Sequence, residues 1–182
     1  MASDAPGSTR APETIALLIA QAQSADRGWL GWPSRLTGEA SAPLAPTHHA
    51  LIADRAAADW PRPQCWEGTR LSLHRDTPGP ARGLVVGLMN IAADAETEFN
   101  DWYETEHMPR LAAVAGVLVA ARYRAGSGHA PAYLALYQME DVAISQSAAW
   151  MHAARTPWAA RMRRFSSDFR RYSFARDDVA DI

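Results

Sequence analysis

The segment Gly83-Leu-Val-Val-Gly-Leu-Met-Asn-Ile91 has only one polar side chain, Asn90, in its nine positions. A strand with no polar alternation must be covered on both faces, since either face left in water would expose large apolar side chains. The chain therefore needs a sheet with a layer packed on each side.

The residues that follow supply one of those layers. Asp94 suits the cap of a helix running from about Ala95 to Glu106, with Glu96 and Glu98 in the first turn where the helix dipole favours acids. Phe99, Trp102 and Tyr103 fall on one face of it, and Pro109 opens a short second helix through Val114. Strands over 117–124 and 132–139 come next, joined by a glycine-containing loop, 125–130. Helices over 142–154 and 157–165 then lead to a last strand over 169–175. The order is β-α-β-β-α-β, the ferredoxin-like arrangement.

The first half is a less regular version. Strands are expected over 14–21, 48–53 and 69–73, while the Trp- and Pro-containing stretch 28–37 is too broken for a helix. HALIADRAAADW at 49–60 parallels YLALYQMEDVAIS at 133–145, and RLSLHRD at 70–76 parallels RYSFARD at 171–177. Their spacing suits a duplicated domain. The fold class read from this pattern is α+β: two ferredoxin-like halves forming a pseudo-dimeric α/β barrel. Residues 1–12 form a disordered tail, 13–80 a degenerate half and 81–182 the complete half.

One motif is more specific than the pattern. Glu98-Phe-Asn-Asp-Trp-Tyr-Glu-Thr-Glu-His-Met-Pro-Arg-Leu111, followed by Ala115 to Arg124, resembles the dimeric α/β-barrel superfamily in its EthD-like branch. Tyr133-Leu-Ala-Leu-Tyr137 and Thr156-Pro-Trp-Ala-Ala-Arg161 resemble a later strand and helix of that family. The resemblance implies a ligand cavity between the sheet and the helices. Relatives include cofactor-free monooxygenases, polyketide cyclases, lactone isomerases, dehydratases, haem enzymes and proteins without known activity, so fold does not select a reaction.

The residues can be weighed directly. His107 follows Tyr103 and Glu104 by one helical turn, so the three can lie along one helix edge, with His107 as proton shuttle or as a helix C-terminal cap. If Val117, Val119, Ala121 and Tyr123 pack on helices, Arg122 points into the barrel. There it steadies a carboxylate or enolate oxygen, or else reaches solvent or a structural carboxylate. Tyr133 and Tyr137 share a strand face and line an aromatic pocket or fill core. Seven arginines and a single acid lie between Arg155 and Arg176, and read as a solvated face or a site for an anionic substrate. The expected catalytic set is His107, Tyr103 and Arg122. The expected substrate-binding set is Trp102, Glu104, Tyr123, Tyr133, Tyr137, Trp158 and Arg161.

Composition narrows the chemistry. All 18 basic residues are arginine, so Schiff-base chemistry on lysine and a lysine-bearing phosphate loop are excluded. One cysteine, Cys65, permits no internal disulfide and no cysteine metal cluster. A net charge of −2 argues against a general nucleic-acid binder, and no segment reads as a signal peptide or a membrane span. A cytoplasmic protein is expected, acting on a small-molecule substrate with no cofactor and no metal; a homodimer is allowed. The favoured function is a cofactor-independent isomerase, lyase or cyclase using acid–base catalysis on an enolisable or phenolic substrate. The alternatives are a cofactor-free monooxygenase of an electron-rich phenol and a non-catalytic small-molecule binder.

Overall fold

The structure, a computed structural model, describes residues 11–21, 29–33, 48–54, 65–126 and 129–176. Among these, eight antiparallel strands close into a barrel. They are β1 (Thr14–Gln21), β2 (Trp29–Pro33), β3 (His48–Asp54), β4 (Cys65–Asp76), β5 (Gly83–Ile91), β6 (Val117–Ala125), β7 (Tyr133–Met139) and β8 (Ser166–Ala175). Round the barrel the order is β4-β1-β3-β2-β8-β5-β7-β6, with β6 pairing back to β4. In each set of four consecutive strands the order is fourth, first, third, second. The sets meet along two seams, β2 with β8 and β4 with β6. Strand β2 falls in the stretch whose sequence is irregular; its Pro33 stands at the strand end, where a missing N–H costs least. Of the expected tail only Ala11 and Pro12 are described, and Ala11 is buried with its carbonyl accepting from Arg70 Nη1 at 2.6 Å.

Between β5 and β6 lie a 3-10 turn (Ala93–Ala95), α1 (Glu96–Trp102), a π-helical turn (Tyr103–His107) and α2 (Met108–Ala112). Between β7 and β8 lie a 3-10 turn (Val142–Gln146), α3 (Ala148–Ala154) and α4 (Pro157–Met162). Ser147 and Thr156 cap α3 and α4 through their hydroxyls. Asp94 does not cap α1: it sits inside the 3-10 turn, where Glu96 N–H already donates to Ala93 O. No helix among the described residues is long and apolar enough to cross a membrane.

The π turn differs most from the expected helix. Met108 N–H donates to Tyr103 O, five residues back. Pro109 follows immediately; it has no N–H to continue the α pattern, and its ring would press on the carbonyl four residues earlier. The wider turn relieves that conflict and adds a residue to the turn, which rotates Tyr103–His107 out of α register.

Two cores flank the sheet. The barrel interior holds Ile15, Leu17, Trp66, Leu84, Val86, Leu118, Val119, Ala121, Tyr123, Leu134, Leu136 and Phe174. The layer between sheet and helices holds Val85, Met89, Phe99, Trp102, Tyr103, Met108, Val117, Ala120, Tyr133, Tyr137, Trp150 and Met162. Strand β6 therefore reverses the expected faces. Val117 does face the helices, but a bulge between Val117 and Val119 in the pairing with β7 shifts the alternation by one. Val119, Ala121 and Tyr123 enter the barrel, and Arg122 turns to the helices instead of the interior. The interior would strand a guanidinium among apolar side chains, whereas the helix layer offers it Asn100 and Glu104.

Candidate functional site

A cavity of about 210 Å³ lies between the second set of strands and the helices. Its strand wall comprises Val85, Gly87 and Met89 on β5, Ala135 and Tyr137 on β7, and Ser166, Phe169 and Arg171 on β8. The helix wall presents Trp102, Tyr103, His107, Leu111, Trp150 and Arg163. Gly87 opposes Arg171 across the β5–β8 pair, and the missing side chain keeps the middle of β5 from filling the space. The one left-handed non-glycine residue among those described, Asp168 (φ 48°), marks a bulge in β8. That extra residue puts Ser166 and Phe169, three positions apart, on the same side; a regular strand would place them on opposite faces.

The polar groups of this cavity are few, and its charged ones, Arg163 and Arg171, are cationic. His107 is held by rings: Trp102 lies 4.4 Å away at 34°, and Tyr103 meets it edge-on at 5.1 Å. Trp102 Nε1 donates to Glu106 Oε1 at 3.2 Å, and Glu106 also accepts from Thr156, the α4 cap, at 2.6 Å. The ring that holds His107 is thus tied to both helical segments, the one before β6 and the one before β8. Burial, then the positive charges of Arg163, Arg122 and Arg110, push the His107 imidazole down to about 3, so it is neutral at pH 7. Its Nδ1 is buried without a hydrogen-bond partner among the described residues, and so is Arg171 Nη2. Burial lowers Arg171 from its usual range. Neither Arg171 nor Arg163 has a carboxylate partner among the described residues, and no Asp or Glu lines the cavity.

The two lining tyrosines are neutral phenols. Tyr103 Oη donates to Met89 Sδ at 3.6 Å, and burial pushes its hydroxyl up to about 12 against the pull of Arg122. Tyr137 Oη donates to Met108 Sδ at 3.0 Å and its ring meets Trp150 edge-on at 5.1 Å; burial raises it well above 10. Both rings contribute to the walls.

Of the expected site residues, His107, Tyr103, Trp102 and Tyr137 come together here. The others stand elsewhere. Arg122 lies behind Tyr103, its guanidinium 4.2 Å from that ring, and does not reach the cavity. Glu104 does not pair with His107, because the π turn rotates it towards β4; it accepts from Ser72 Oγ at 2.7 Å and lies 2.9 Å from His74 Nε2. Tyr123 stands in the barrel interior and donates to Pro12 O at 3.1 Å. Tyr133 donates to Glu96 beside the site. Trp158 Nε1 and Arg161 both bind Glu98, clamping α4 to α1 at the surface, where Arg161 holds the Glu98 carboxyl below its usual range. Gly87, Trp150, Arg163, Phe169 and Arg171 also line the cavity, and no motif in the sequence marks them individually. The arginine-rich stretch 155–176 was the one sequence signal for two of them.

No protein-family model matches the chain, and no curated protein does. Solved structures do. A protein provisionally assigned as a monooxygenase from Fusobacterium nucleatum superposes with TM-score 0.54 at 8% identity, covering 89% of this chain and 91% of that one. The fold is ferredoxin-like. A ferredoxin-fold protein from Listeria monocytogenes, related to antibiotic biosynthesis monooxygenases, gives TM-score 0.54 at 7% identity, with 91% and 96% coverage. A major regulator of staphylococcal pathogenesis gives 0.52 at 8% identity, with 88% and 99% coverage. At these identities the likeness concerns the fold alone, and it extends over most of each chain.

Proposed function

We propose that the cavity binds a small, mainly apolar molecule with an acidic C–H or O–H, and that the protein is a cofactor-independent enzyme of the isomerase, lyase or cyclase kind. The observation that carries this reading is the pair of buried, unpartnered polar atoms, His107 Nδ1 and Arg171 Nη2, on residues lining one otherwise apolar, aromatic cavity. Buried polar atoms normally find partners, and a ligand with an oxyanion would provide them.

Neutral His107 accepts the proton, and the enolate or phenolate oxygen that forms is held by Arg171 with Arg163 at the rim. The positive charges that add to burial in weakening His107 as a base also acidify the substrate. Once the anion forms beside them, its charge offsets that of the arginines and raises the basicity of the imidazole. The EthD-like motif and the similar strand order of the two sets support reading the chain as a single-chain counterpart of a dimeric barrel, with its pocket in the second half.

A second reading, oxygenation of a phenol by molecular oxygen after the same deprotonation, is favoured by two neighbours whose descriptions refer to monooxygenases. One experiment addresses both: enolisable ketones and polyphenols are incubated with the protein and with His107→Ala, recording product and oxygen uptake. Turnover without oxygen uptake that falls at least tenfold in the variant supports the first reading. Turnover with stoichiometric uptake supports the second, equal turnover in the variant removes His107 from both, and binding without turnover leaves a binding protein.

A further inference from the structure

Behind the cavity wall lies a second set of polar groups. Arg122 is 1% exposed, the least accessible charged residue among those described. Its Nη2 donates to Asn100 Oδ1 at 2.7 Å and its Nη1 lies 3.5 Å from Glu104 Oε1. Glu104 is fixed from the other side by Ser72 and His74, which β4 of the first set brings to the π turn. The guanidinium stands over three rings, Tyr103 at 4.2 Å and Phe99 and Tyr133 at 4.9 Å each. Tyr103 touches both groups: Arg122 stands over its ring, and the His107 imidazole meets that ring at 81° with 5.1 Å between centroids.

We propose that Arg122 is a positioning residue: anchored by Asn100 and Glu104, it holds the Tyr103 ring by cation–π contact, and Tyr103 fixes the orientation of the His107 imidazole. The inference concerns the geometry around His107 and rests on the reading of His107 as the base only for its consequence in catalysis. Its physical basis is the cost of placing a guanidinium in a dry layer. Such a charge is retained where hydrogen bonds and aromatic faces compensate it; here both Nη atoms are held while the buried Nε has no hydrogen-bond partner among the described residues, and a planar cation held at its two Nη atoms restricts the ring it covers. The arrangement also gives the shortened first half a task, since Ser72 and His74 come from its fourth strand and secure Glu104. The charge of Arg122 adds to those of Arg163 and Arg110 around His107, and Glu104 is the carboxylate that partly offsets it.

The test uses the full chain labelled at histidine and tyrosine, with Arg122→Met and Glu104→Gln. Tyr103–His107 ring cross-peaks are recorded by NMR at neutral pH, and the His107 signals are followed down to the lowest pH at which each variant stays folded. In Arg122→Met the cross-peaks weaken, and His107 begins to titrate at higher pH because a nearby positive charge has gone. In Glu104→Gln, which keeps the cation but removes one anchor, the cross-peaks weaken without that upward shift. If Arg122→Met does not fold, Glu104→Gln decides alone. Cross-peaks unchanged in the folded variants would overturn the proposal, even if the unfolding midpoint fell, because a purely structural arginine would lower stability and leave the His107 signals alone. A parallel titration with benzoate keeps the two readings apart: benzoate that moves no His107 signal in the unmodified protein counts against the ligand site, while the cross-peaks still judge Arg122.

Discussion

Arg171 on β8 and Gly87 on β5 face each other across the sheet, and both line the cavity that also holds His107. A guanidinium with a buried, unpaired nitrogen is thereby set opposite the one position on that part of β5 with no side chain. Arg171→Met should weaken binding of benzoate at least tenfold, while toluic amide of similar shape loses far less, because the lost interaction is charge-assisted. Arg161→Ala should leave both affinities within about twofold, since Arg161 is engaged with Glu98 at the surface. Isothermal titration of the two ligands against both variants checks this.

Gly87→Val tests the cavity without touching a polar group. A Cβ at Gly87 has its nearest neighbour, Met89 Cε, at 3.9 Å, an ordinary contact, and a β-branched residue suits a strand. The variant should fold with stability within about 1 kcal/mol of the original, while ligand affinity and any turnover fall at least tenfold. A thermal melt alongside the binding measurement separates the two effects.

His107 also gives a pH signature of stability. Its pKa is about 3 in the folded chain against an ordinary value of 6.5, so between those values the unfolded chain binds a proton that the folded chain refuses. Above the unfolded value the ring is neutral in both states and contributes no pH dependence. As pH falls below it, stability drops with a slope of up to about 1.4 kcal/mol per pH unit from this group. Urea denaturation of His107→Phe from pH 7 to 4.5 should show a profile flatter by close to one proton, and an unchanged slope would contradict the assignment.

Tyr123 and Tyr137 should behave as opposites. Tyr123→Phe removes the hydrogen bond to Pro12 O in the barrel interior, costs about 1 kcal/mol by chemical denaturation, and leaves ligand binding unaltered. Tyr137→Ala opens the cavity wall and should change which ligands bind, read by a panel of aromatic acids of increasing size.

The sequence made the second set of strands and its helical layer legible because their signals are local: an apolar run at 83–91, an i, i+3, i+4 stripe at Phe99, Trp102 and Tyr103, and Pro109 at the opening of a short second helix. Side-chain direction was less legible, and for an identifiable reason. One bulge in β6 turned Arg122 and Tyr123 to the opposite faces, and one π turn before Pro109 took Glu104 from His107 and gave it to His74. Each is a shift of a single residue, too small to alter composition or periodicity and large enough to exchange neighbours. Arg171 was hidden differently: among seven arginines between 155 and 176, only the strand pairing distinguishes it from its exposed neighbour Arg170.

The two seams of the barrel have a consequence for assembly. Strand β4 ends at Asp76 and β5 begins at Gly83, so a short stretch of chain, 77–82, joins the two four-strand sets that meet at β2–β8 and β4–β6. Their meeting is intramolecular, at an effective concentration fixed by that tether and not by the amount of protein in solution. Dilution cannot take these seams apart, and the contacts of Ser72 and His74 with Glu104, which reach across one of them, stay assembled in a single molecule.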